Sequence, residues 1–209
     1  MIVVDSVSKR YGSRYAVQDA SLSVREERIT ALIGPNGAGK STLLAMMSRL
    51  IPMDSGQVYI EGKPITHWQP SSLAQKLAIL KQSNHLTLRL TVRDLVSFGR
   101  FPHSQGRLTP EDVEHVDRAL EYMGLVELQH RFLDQLSGGE RQRAFVAMVI
   151  AQDTRYILLD EPLNNLDMKH AVQIMKMLRR LVDELGKTIV LVLHDINFAS
   201  CYADDIVAM

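Results

Sequence analysis

The chain has 209 residues, 46% hydrophobic and 23% charged, so it can bury a sizeable core and is neither disordered nor fibrous. Lys plus Arg and Asp plus Glu both number 24. The resulting formal charge of zero argues against a nucleic-acid partner, since binders of the phosphate backbone carry a basic stripe or excess. The single cysteine, Cys201, excludes an internal disulfide and points to a reducing compartment. Residues 1–10 lack the apolar run of a signal peptide. Apolar stretches of about 6 residues fall well short of the ~20 that span a bilayer, so any membrane role would pass through a partner.

In chain order, residues 2–4 and 17–24 read as strands joined by the turn Tyr11-Gly12-Ser13-Arg14. Residues 28–33 (RITALI) form a short apolar run suited to a buried strand, and a glycine-rich loop follows. A helix is predicted over 40–50, stopped by Pro52. Strands follow at 56–62 and at 77–80 (LAIL), the latter leading into Lys81 and Gln82. From 91 to about 129 the character is helical, with Thr109, Pro110, Glu111 and Asp112 opening one helix that Gly124 ends. Ser137 and Glu140 make a capping box for a helix to about 152, and 156–159 (YILL) is a buried strand. Asp167 opens a long amphipathic helix closed by Gly186, and 187–193 (KTIVLVL) is the next strand. Apolar strands alternating with helices predict an α/β fold with a mainly parallel sheet covered on both faces.

Three segments carry chemistry. Gly34-Pro35-Asn36-Gly37-Ala38-Gly39-Lys40-Ser41-Thr42 fits G-x-x-x-x-G-K-[ST] between a strand and a helix. Its glycines let successive N–H groups turn inward on an anion, and the helix adds its positive end. Lys40 brings a full charge to the β and γ phosphates of ATP, and the Ser41 hydroxyl can ligate Mg²⁺. Next, residues 156–161 end an apolar strand in two carboxylates, at the edge where α/β sheets bind ligands. Asp160 is the expected Mg²⁺ partner, and Glu161 is placed to accept a proton from an attacking water. The third is Leu136-Ser137-Gly138-Gly139-Glu140, a capped helix start with two glycines and a hydroxyl, and hence a second place for an anion.

The order of these segments, with Gln82 between them and His194 after the last strand, resembles the ATPase subunit of ABC transporters along essentially the whole chain. The resemblance implies a P-loop NTPase core with an N-terminal antiparallel portion and an inserted helical subdomain. The core would comprise 1–82 and 141–209, with the subdomain at about 83–140. It also implies a homodimer in which Ser137, Gly138 and Gly139 of one copy reach the γ-phosphate held by the other. Tyr11 would stack on adenine, Gln82 would sense Mg²⁺ and water, His194 would contact the γ-phosphate and hold the water, and Asp167 would cross to the opposing subunit. Asn164 and Asn165 depart from the residues commonest before Leu166-Asp167.

Thr91-Val92-Arg93-Asp94-Leu95 with Phe98-Gly99-Arg100-Phe101-Pro102-His103 resembles ATPases of bacterial iron–siderophore importers, with haem and cobalamin importers as relatives. Pro162 to His170 is similar to a branch associated with catecholate siderophores. The implied partners are a second copy, integral membrane permease subunits and, indirectly, a siderophore-binding protein. The implied place is the cytoplasmic face of the membrane. Since relatives of this kind run some tens of residues past the strand beginning near Asp205, a shortened C-terminal end is also expected.

Overall fold

The computed structural model describes residues 1–82, 88–164 and 166–209. Strands β1 (Ile2–Tyr11) and β2 (Arg14–Val24) form a hairpin in which Tyr11 faces Arg14 across Gly12, whose φ of 60° suits the tight turn. The strand predicted at 2–4 runs on to Tyr11, with register shifts beyond Val4 that let its polar half stay paired. After β3 (Ile29–Ile33) and α1 (Lys40–Met47) come β4 (Ser55–Ile60) and the short β5 (Lys63–Pro64). Strands β2-β1-β4-β5 make an antiparallel sheet. Helix α1 stops three residues short of the predicted end. Arg49 takes a φ of 58°, its N–H bonds to the Met46 carbonyl, and the Leu50 N–H turns back to Ala45 O at 2.9 Å. These bonds close the last turn before Pro52 can act.

A one-turn helix, α2 (Pro70–Ala74), leads to β6 (Leu77–Leu80). The stretch predicted helical from 91 divides into α3 (Val92–Phe98), α4 (Phe101–Ser104) and α5 (Pro110–Tyr122), with a 3₁₀ turn at Val126–Leu128. Capping boxes start α3 at Thr91, α5 at Thr109 and α6 (Gly138–Ala151) at Ser137. Strand β7 (Tyr156–Leu159) precedes α7 (Met168–Leu185), which is capped by Asp167 and closed by Gly186 at a φ of 60°. The chain then adds β8 (Thr188–Val192), α8 (Ile196–Tyr202) and β9 (Asp205–Ala208).

The second sheet is parallel throughout, in the order β6-β7-β8-β3-β9. Because side chains alternate along a strand, its residues divide between two cores. Tyr156, Leu158, Val190, Val192 and Leu32 meet α1 and the antiparallel sheet through Leu43, Leu44, Met47, Val4 and Val58. Ile157, Leu159, Ile189, Leu191 and Ala31 meet α3, α5, α6 and α7 through Leu95, Val116, Ala147 and Ile174. Both faces of the sheet are thereby covered, which explains why its strands read as unbroken apolar runs.

Candidate nucleotide site

Strand order determines which side chains meet. Leu80 of β6 pairs with Leu159 of β7, which pairs with Leu191 of β8. Parallel neighbours run out at one edge, so the residues just beyond them, Gln82, Asp160-Glu161 and His194, emerge side by side with Glu161 in the middle. Gln82 Nε2 donates to Glu161 Oε2 at 2.6 Å, and Asn164 Nδ2 donates to the same oxygen at 3.1 Å. His194 Nε2 lies 2.7 Å from Oε1. Both carboxylate oxygens are therefore held, and the Glu161 side chain is only 9% exposed against 42% for His194. The Glu161 backbone has a φ of 52°, a conformation that costs a non-glycine residue roughly 1–3 kcal/mol and is tolerated where surrounding contacts over-determine it.

Past Ile33 the chain runs through the glycine-rich loop into α1, which begins at Lys40. Gly37 and Gly39 have φ of 81° and 99°, and a Cβ on Gly39 would overlap the Ala16 carbonyl. The loop lies against the antiparallel sheet there, and only glycine fits. No side chain caps α1, which leaves its first N–H groups facing the loop. Lys40 is 4% exposed, and its Nζ donates to the carbonyls of Gly34 and Pro35 at 2.9 Å each. Ser41 Oγ donates to Asp160 Oδ1 at 2.8 Å. Ala16, Asn36, Gly37, Gly39, Lys40, Ser41, Thr42 and Glu161 line a cavity of about 170 Å³.

Burial pushes the Asp160 carboxyl above the ordinary aspartate range, and the neighbouring Glu161 charge adds to the rise against the opposing Ser41 hydrogen bond. A carboxylate in that position gains from a nearby cation. Among the described residues no cluster of three or more His, Cys, Asp or Glu side chains could hold a metal by itself. The Ser41 hydroxyl and the Asp160 carboxylate beside the glycine-rich loop would instead fit Mg²⁺, which keeps waters and takes its other ligands from phosphate.

The remaining expected residues lie elsewhere. Tyr11 sits at the hairpin tip, 57% exposed, with the Lys9 ammonium 5.9 Å from its ring centre. Ser137 caps α6 and Asp167 caps α7. Neither Ser137, Gly138, Gly139 nor Asp167 lines the cavity at the 34–42 loop. Asn165 falls outside the described residues. Sequence reasoning did not find the Asn164 hydrogen bond to Glu161; a polar residue three positions after a site carboxylate was the available signal.

A sequence profile of the ABC transporter family matches residues 17–164. The chain is 62% identical over its full length to the petrobactin import ATP-binding protein YclP of Bacillus subtilis (strain 168), covering 83% of that protein. It is 39% identical to the ferric enterobactin transport ATP-binding protein FepC of Escherichia coli (strain K12), over 95% of the chain and 74% of the relative. A bacterial ABC transporter cassette solved as a dimer superposes with a TM-score of 0.88 at 31% identity, covering 100% of this chain and 94% of that one. The phosphate cradle, the carboxylate-tipped strand and these likenesses agree: the chain belongs to the ABC transporter family, as an ATP-binding cassette.

Proposed function

We propose that this cassette is the ATP-hydrolysing subunit of a bacterial importer, driving a membrane permease that takes up an iron(III)–siderophore complex. The observation that carries the chemistry is the juxtaposition of Glu161, held by Gln82, Asn164 and His194, with the Lys40–Ser41 cradle. Support for the cargo comes from the relatives, whose names include petrobactin, iron(3+)-hydroxamate and ferric enterobactin.

Each residue has a physical task. The backbone N–H groups of 36–42 and the α1 N-terminus receive the phosphate oxygens of ATP. Lys40 is already desolvated, so moving its ammonium from neutral carbonyls to phosphate trades weaker acceptors for charged ones. Ser41 and Asp160, with Gln82 beside them, would hold Mg²⁺, which neutralises charge on the β and γ phosphates when bound. Glu161 accepts the proton of the attacking water, and His194, next to it on the exposed side, orients water and γ-phosphate. Tyr11 offers an exposed ring to adenine.

In this reading two copies face each other, so that Ser137, Gly138, Gly139 and Asp167 of one complete the nucleotide site of the other. Residues 1–82 and 141–209 act as the nucleotide-binding core and about 83–140 as a helical subdomain. No helix among the described residues is long and apolar enough to cross a membrane. In this reading the cassette works at the cytoplasmic face of the membrane through permease subunits, and a separate binding protein delivers the siderophore. Uptake of radio-iron by a strain lacking this protein provides the test. Loss of ferric-siderophore uptake, restored by the wild-type chain but not by Glu161→Gln, is expected; undiminished uptake in the deletion strain would contradict the cargo assignment.

A further inference from the structure

Two segments reserved for the opposing subunit, the start of α6 and the loop before α7, touch each other within one chain, and His170 makes the contact. Asp167 Oδ1 accepts from the His170 backbone N–H at 2.9 Å and from its ring Nδ1 at 2.8 Å. A carboxylate can only accept, so Nδ1 carries the hydrogen and the ring orientation is fixed. Helical side chains lean toward the N-terminus of their helix, and this one leans over the first turn of α7. Its Cγ–Cδ2 side fills the space beside Gly139. A Cβ there would stand 2.9 Å from both Cδ2 and Cγ of the ring and 3.3 Å from Nδ1. Gly138, one residue earlier, has nothing within 4 Å of an added Cβ. The two glycines therefore differ: the space at Gly138 is open, whereas that at Gly139 is taken up by the imidazole.

We propose that His170 is a positioning residue that sets the spacing between Asp167 and the Ser137–Gly139 helix start, so that both reach the opposing nucleotide together. This rests on the shared-site reading above. It also assigns a task to the last residue of the 162–170 segment, which the hydrolytic chemistry leaves unexplained. On this view Gly139→Ala does its damage by displacing His170 rather than by blocking phosphate.

The test uses the full chain in four forms: wild type, His170→Ala, Gly139→Ala and the double variant. A Glu161→Gln background serves for dimerisation. His170→Ala should bind MgATP as a monomer with affinity within about twofold of wild type, yet lose roughly tenfold in kcat, the size of coupling seen between side chains in contact. ATP-driven dimerisation should weaken in parallel. His170→Asn, which can still donate to Asp167, should restore most of kcat. The double variant should turn over no more slowly than Gly139→Ala alone. Losses that simply multiply, or wild-type kcat in His170→Ala, would overturn the positioning role while leaving the shared site intact. A Glu161→Gln parent that stayed monomeric with MgATP would instead overturn the shared site and this role with it.

Discussion

Glu161 and His194 stand 2.7 Å apart at the ends of neighbouring parallel strands, with the carboxylate enclosed and the imidazole half in solvent. On the proposed function the exposed imidazole turns toward an arriving phosphate, while the enclosed carboxylate keeps its orientation. His194→Ala should therefore lower kcat by about 10²-fold, the usual effect of mispositioning a reacting group, with little change in ATP affinity. Gln82→Ala should cost less than this in proton transfer, since Asn164 still holds Glu161 Oε2. Steady-state kinetics of the two variants side by side give the ranking; equal kcat for wild type and His194→Ala would refute it.

Lys40 tests the cradle. Its buried ammonium rests on two neutral carbonyls, ready to exchange them for phosphate. Lys40→Ala should weaken MgATP binding roughly 10- to 100-fold, the value of one or two charge-assisted hydrogen bonds. Calorimetric titration measures this directly, and retained tight binding would count against the loop.

Two glycines of the same loop should behave differently. At Gly39 the positive φ and the Ala16 carbonyl both oppose a side chain, so Gly39→Ala should cost ~2 kcal/mol or more in stability and distort the loop. At Gly37 only the φ of 81° opposes one, with open space around it, and the cost should be about 1 kcal/mol. Urea denaturation of each variant checks the order.

The helical part contains an acid-sensitive clasp. Asp112, 3% exposed, accepts from the Thr109 N–H and hydroxyl and from Arg100 Nε at 2.8 Å, while Arg100 also donates to Ala151 O. Burial alone would raise the Asp112 carboxyl; these donors outweigh it and lower it from 3.8 to about 2. A depressed folded-state value means the stabilisation is complete above the unfolded pKa and is lost as the pH falls through the folded one. Between pH 4 and pH 2 the chain should lose roughly 2 kcal/mol from this group, and Asp112→Asn should flatten that part of the profile. Denaturant midpoints across this pH range provide the comparison.

Much of this was readable in the sequence because it is local. Capping at Thr109, Ser137 and Asp167, the Gly186 stop and the loop 34–42 each depend on residues a few positions apart, and all formed as the spacing predicts. Relations across strands were not readable. That Gln82 and His194 meet on the Glu161 carboxylate follows from the order β6-β7-β8, which no single segment encodes. The same holds for Gly139 against His170 and for Arg100 against Asp112, where the reason for a residue type lies in a neighbour far along the chain or on another helix. The early end of α1 is not legible in the sequence because Arg49, not a glycine, takes the left-handed position, and the nearest helix-breaking residue is Pro52.

If the loop 34–42 and the Asp160–Glu161 strand end together bind MgATP for hydrolysis, Glu161→Gln should hold the nucleotide and turn it over slowly. Titration of Glu161→Gln with MgATP, with its mass followed by sedimentation, measures this most directly. One nucleotide bound per chain, a doubling of mass, and hydrolysis slowed by about 10²-fold or more are expected. Absence of binding, or turnover at the wild-type rate, would contradict it.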